Sequence, residues 1–150
     1  MPHASSPFTI DRFESQPPYH RHGAIEFARS QLGKTFSGDL VGSSQVEMLA
    51  VRSDPEGAGY VALECIEGSL QGRPGSFALV HIGTLAGETP WARWLVVPGS
   101  GSGELSGISG EARIEIDPQG AHTLVLDYQL GKAQAPGAGE PPEPGSSRSR

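Results

Sequence analysis

With 150 residues and a formal charge of −6, the chain can form one domain with its own core but hardly two, and its scattered Lys and Arg exclude a phosphate-backbone partner. Its 21 glycines and 13 prolines, more than a fifth of the residues, exclude a largely helical fold. One cysteine, Cys65, rules out an internal disulfide or a thiolate zinc cluster. No leader-like start and no stretch approaching the roughly 20 apolar residues of a membrane span occurs, so a cytoplasmic protein without membrane contact is expected.

Taken in order, 8-FTIDRFE-14 and 24-AIEFARSQLGKTF-36 read as irregular strands. Ile25, Ala28 and Leu32 also sit at helical spacing, so a short helix over 24–32 is the alternative there. The segments 43-SSQVEMLAV-51, 59-GYVALECIEGSL-70, 75-GSFALVHIGTL-85 and 91-WARWLVV-97 read as strands, separated by the turn signals SDPEGA, QGRP and AGETP. Further on, 111-EARIEI-116 sends Ala112, Ile114 and Ile116 to one face, and 121-AHTLVLDYQL-130 does the same with Leu124, Leu126, Tyr128 and Leu130. Between them Asp117-Pro118-Gln119-Gly120 is a turn in which Pro presets φ and Gly takes the left-handed position, so the pair forms a hairpin.

With the segment that begins at Gly103 the count is eight strands, and their short connections favour an antiparallel meander. Eight such strands close into an all-β, lipocalin-like barrel whose interior holds side chains or one small ligand, and closure removes the exposed sheet edges. The barrel is expected over residues 5–132. Residues 133–150 contain no large apolar side chain and are rich in Pro, Gly and Ser, and are expected to be a disordered tail.

The stretch 94-WLVVPGSGSGELSGISG-110 raises the question of a phosphate-cradling loop. From Gly101 it reads G-x-G-x-x-x-G, which misses the dinucleotide spacing, and no Lys-Ser or Lys-Thr follows. The residues after it alternate as a strand, so no helix N-terminus would receive a pyrophosphate. It reads as a turn from Pro98 to Ser102, with Gly103, Gly107 and Gly110 where a strand bends or a neighbour comes close. No cofactor is expected.

The phrases KTFSGDLVGSS (34–44), LECIEGSLQGRPGSFALVHIGT (63–84), WLVVPGSGSGELSGISGE (94–111) and LVLDYQL (124–130) resemble, in the same order, the signature stretches of a bacterial family of uncharacterised proteins. The resemblance spans roughly residues 5–131. It implies a small eight-stranded barrel similar to allene oxide cyclase and a domain of unknown function. It implies no cyclase activity, because no catalytic motif matches residue by residue. The chain departs from the pattern at 85-LAGETPWARW-94, where Pro90 and Trp91 replace the expected Gly and small residues.

Polar residues on apolar strands are the remaining lead. His81 shares a face with Phe77 and Leu79, and Glu64 shares one with Tyr60, Ala62 and Ile66. Facing inward, the acid and the imidazole could orient a polar ligand or transfer a proton, and an apolar lumen would raise the carboxyl pKa. They could equally satisfy each other across adjacent strands without any function. Trp94 could line the lumen or simply pack, and Glu47 is expected to face solvent or a barrel mouth. Ala78, Val80 and Ile82 make the other face of the His81 strand apolar too, which suits a homodimer. His20 and His22 form an H-x-H pair without a third ligand nearby, so no metal site is expected; Ser100, Ser102 and Ser106 read as turn residues, and Cys65 as a buried small hydrophobe. The reading is a binding barrel for a small apolar or amphipathic molecule, with Tyr60, Glu64, His81 and Trp94 as candidate ligand-binding residues. An isomerase or cyclase-like enzyme using the Glu64 and His81 pair, and an interaction protein with a filled barrel, are the alternatives.

Overall fold

The structure, a computed structural model, describes residues 2–53 and 55–131. Ten strands follow in chain order: β1 (His3–Ser15), β2 (His20–His22), β3 (Ile25–Phe36), β4 (Leu40–Ser53), β5 (Gly57–Leu70), β6 (Arg73–Ala86), β7 (Thr89–Val96), β8 (Ser102–Gly103), β9 (Ile108–Ile116) and β10 (His122–Leu130). Eight of them close a barrel in the order β1, β3, β4, β5, β6, β7, β9, β10 and back to β1, every pairing antiparallel.

Closure depends on β1, which serves two neighbours. His3 to Phe8 pair with β10, and Phe8 to Ser15 pair with β3, with a register shift between Ile10 and Arg12 where the strand changes partner. Both would-be edges of the sheet are thereby occupied. Two short strands lie off the ring: β2 pairs with β3, and β8 with the start of β6.

Most expected elements are present, with two corrections. Residues 25–32 are strand, as read, and the helical alternative falls: eleven pairs with β4 hold Glu26 to Phe36, and tertiary pairing outweighs the local helical spacing. The first strand starts at His3, because the polar residues of HASSP alternate with Ala4, Ser6 and Phe8, which point inward. The segment from Gly103 is not continuous strand: β8 ends there, a turn follows, and Leu105 is pushed into the core at 1% exposure before β9 begins. The expected tail over 133–150 lies outside the described residues.

The hairpin at Asp117 forms as expected. The Asp117 carboxylate accepts hydrogen bonds from the backbone N–H of Gln119 and Ala121, and Gly120 takes φ +89°. Gly110, in β9, faces the backbone of β10 so closely that an added Cβ would lie 2.2 Å from the Asp127 carbonyl oxygen.

Inside, the barrel divides along its axis. The half toward the Ser37–Leu40 turn is filled by a cluster that includes Phe8, Phe36, Ile66, Phe77, Leu79 and Leu126, all buried. Each such side chain contributes about 1.5–3 kcal/mol on burial. Toward the other end the interior residues become smaller and more polar, and the cluster there is only Leu32, Val46 and Ala62 with Met48 and Tyr60 packed on it.

Candidate functional site

Between the two halves lies a layer of polar groups, each placed by the two-residue period of its strand. Lys34 follows Leu32 and precedes Phe36 on the inner face of β3, Ser44 precedes Val46 on β4, Glu64 lies between Ala62 and Ile66 on β5, and His81 follows Leu79 on β6. All four are buried, Glu64 to 2% and His81 to 3% exposure. Glu64 stands at the centre. Its Oε1 accepts from His81 Nε2 at 2.8 Å and from Lys34 Nζ at 3.3 Å, and its Oε2 accepts from Ser44 Oγ at 2.5 Å.

The aromatic residues complete the layer. The Trp94 ring on β7 stacks on His81 at 3.5 Å between centroids and 17° between planes, and Tyr60 meets His81 edge-on at 6.3 Å. The Lys34 ammonium lies 4.8 Å from the Phe8 ring centroid and 5.0 Å from that of Trp94, so two rings share its charge with Glu64. Tyr60 is half-buried because Gly83, opposite it on β6, has no side chain. A Cβ there would come within 2.5 Å of the tyrosine ring.

The electrostatics correct one expectation. Burial, the largest influence, does push the Glu64 carboxyl up, but the His81 hydrogen bond, the Lys34 charge and the Ser44 hydroxyl together outweigh it and hold it below its ordinary value. Glu64 is therefore a carboxylate. For His81, burial wins over the attraction of Glu64 and lowers its pKa, so the imidazole is neutral and donates from Nε2. Burial and then the Glu64 charge raise the Tyr60 phenol, keeping it protonated.

Above this layer the barrel is open. An apolar cleft of about 380 Å³ is lined by Met48, Ala50, Tyr60, Leu85, Pro90 and Ala92 among others. Tyr60 is thus shared between the cleft and the polar layer. Pro90 and Trp91 form part of this rim.

All four candidate residues come together: Tyr60, Glu64 and Trp94 each meet His81, though only Tyr60 lines the cleft. Lys34 and Ser44 were missed, although each falls at inward parity with Leu32 and Phe36 or with Val46. The parity was the available signal, and the charge of Lys34 masked it. Glu47 is exposed, as expected, where it binds Arg29 and Gln31. Cys65 is exposed rather than buried, because the inward places on β5 belong to Glu64 and Ile66. His20 and His22 lie exposed on β2, and among the described residues no group of three or more His, Cys, Asp or Glu is arranged to hold a metal. Nor is any described helix long and apolar enough to cross a membrane.

Fold and site define a closed eight-stranded antiparallel barrel with a buried Lys–Glu–His centre under an open mouth. The chain belongs to the family described as protein of unknown function (DUF3224), whose profile matches residues 4–128. It is similar to the crystal structure of a protein of unknown function from that family in Shewanella oneidensis MR-1, with 35% sequence identity and a TM-score of 0.83. The match covers 89% of this chain and 99% of that one. No curated protein matches.

Proposed function

We propose that the protein is a binding barrel for a small amphipathic molecule, whose apolar body occupies the mouth and whose polar end meets Tyr60 and, behind it, His81 and Glu64. The observation that supports this most is the position of an apolar cleft of about 380 Å³ directly over a buried polar layer, with Tyr60 common to both. Such a combination of apolar walls and a few converging polar groups is the usual make-up of a ligand pocket. Binding is favoured over cyclase-like proton transfer because Glu64 already accepts from three donors and is held as a carboxylate, which leaves it a weak base. The filled-barrel reading describes only the other half of the interior.

A titration with an anilinonaphthalene sulfonate dye, apolar with one anionic end, tests the mouth. Dye fluorescence should rise saturably with the natural chain, and Ala92→Phe, which fills the cleft, should weaken binding at least tenfold. Leu63→Glu, on the outer wall, should leave binding unchanged. Equal affinity in Ala92→Phe, or loss in Leu63→Glu, would place the dye outside the barrel and sink the proposal.

A further inference from the structure

The outer wall over β4 to β7 is apolar where a lone barrel would be polar. Two rows of outward residues cross these strands in register. One runs Leu49, Val61, Ile82, and the next runs Leu63, Val80, Leu95. Val61 is 47% exposed and Leu63 is 62% exposed, so nothing among the described residues covers them. A contiguous patch of this kind marks a contact surface.

The charges at its margins select the occupant. The first row ends in Arg29 on β3 and Arg93 on β7, and the second is flanked by Glu47 on β4 and Glu111 on β9. Cations thus border one apolar row and carboxylates the other, and each arginine now binds the carboxylate beside it, at 3.0 Å for Arg29 to Glu47 and 2.9 Å for Arg93 to Glu111. A two-fold axis lying across the strands between the rows sets each strand on its own copy, so the arginine-ended row lies on the partner's carboxylate-flanked row, with each arginine one strand from a partner carboxylate, Arg29 from Glu47 and Arg93 from Glu111. A two-fold axis running along the strands would instead lay each row on its own copy, bringing arginine onto arginine if it follows β5 or carboxylate onto carboxylate if it follows β6.

We infer that this wall is an isologous interface with a second copy of the chain, its two-fold axis crossing the strands over Ala62 of β5. On β5, residues symmetric about position 62 then face each other, Val61 against the partner's Leu63 and Gly59 against the partner's Cys65. Outward Gly59 accepts a side chain: an added Cβ meets nothing nearer than 3.7 Å.

Sedimentation velocity and cysteine cross-linking test both the dimer and its axis. The natural chain should sediment as a dimer at tens of micromolar, and Leu63→Glu, at an exposed site that leaves the monomer fold alone, should weaken association at least tenfold; Val61→Glu should do the same. A short bismaleimide should link Gly59→Cys chains through Cys65 of the partner and leave the natural chain unlinked. Within one chain the two cysteines would lie six residues apart on a strand, about 20 Å, beyond the reagent. A monomer at every concentration, with or without binding to lipid vesicles, overturns the inference. So does a dimer indifferent to Leu63→Glu, or cross-linking of the natural chain through Cys65 alone, which requires the other axis.

Discussion

Replacing Lys34 by Met removes one charge from a buried pair and leaves the other in place. Lys34 and Glu64 are 5% and 1% exposed at the side chain and 3.3 Å apart. At an effective dielectric of about 20 their attraction is about 5 kcal/mol, against a desolvation cost of several kcal/mol for each ion. The intact pair is therefore close to neutral for stability, while Lys34→Met should cost about 3–5 kcal/mol, because Glu64 stays buried with only His81 and Ser44 to hold its charge. The double variant Lys34→Met, Glu64→Leu should recover most of that loss. Urea unfolding followed by Trp94 fluorescence, in a Trp91→Phe background that leaves one of the two tryptophans, measures both. A cost below about 1 kcal/mol for the single variant, or additive losses in the double, would show that the two groups do not act as a pair.

Acid should weaken the fold in two steps. His81 has a lowered pKa when folded, so below its ordinary 6.5 the unfolded chain binds a proton that the folded one does not, and stability falls as pH drops. Below 4.5 the lowered Glu64 adds a second loss of the same sign. Unfolding free energies from urea titrations should therefore decline from about pH 7 to about pH 5, by at most about 1.4 kcal/mol per pH unit for this one group, and His81→Asn should flatten that limb; an unchanged slope would assign it to other groups. Gly83→Ala should displace the Tyr60 ring toward the cleft, cost about 1–3 kcal/mol and reduce dye binding, and a crystal structure of the variant with Tyr60 unmoved would refute this.

The barrel was legible where one face of a strand was apolar and the other polar. The run 111-EARIEI-116 carried the period of two without interruption, Glu111, Arg113 and Glu115 against Ala112, Ile114 and Ile116, and Asp117 to Gly120 carried its own turn chemistry. Legibility failed where a partner distant in sequence decided the outcome. β1 changes neighbours within one strand, and nothing local to Phe8 signals that it pairs with both Phe36 and His122. In the site, Glu64 and His81 stood out as polar residues on apolar faces. Lys34 did not, because a lysine beside Gly33 and Thr35 reads as solvent-facing until Glu64, thirty residues away, is known to receive it.

The polar layer also explains why the interior changes character halfway along. A buried carboxylate needs several donors, and three nearby strands supply one each: β3, β4 and β6. Those donors fix the relative height of four adjacent strands, since a slip of one residue in any of them would carry its donor to the outer wall. Below the layer, large apolar side chains can then interlock in a single register. Above it, Gly83, Ala50 and Ala92 leave the wall thin around Tyr60, and the same four strands, held in step from beneath, keep the mouth open without needing side chains to fill it. On their outer face, this enforced alignment sets the rows Leu49–Val61–Ile82 and Leu63–Val80–Leu95 straight across the sheet, which is the geometry a second copy would read. Glu64→Leu alone, which frees Lys34 and His81 together, should therefore disturb the mouth and the dimer at once, whereas Phe77→Ala, costing about 3–5 kcal/mol in the filled half, should lower stability and leave both the dye affinity and the sedimentation of the folded chain as they were.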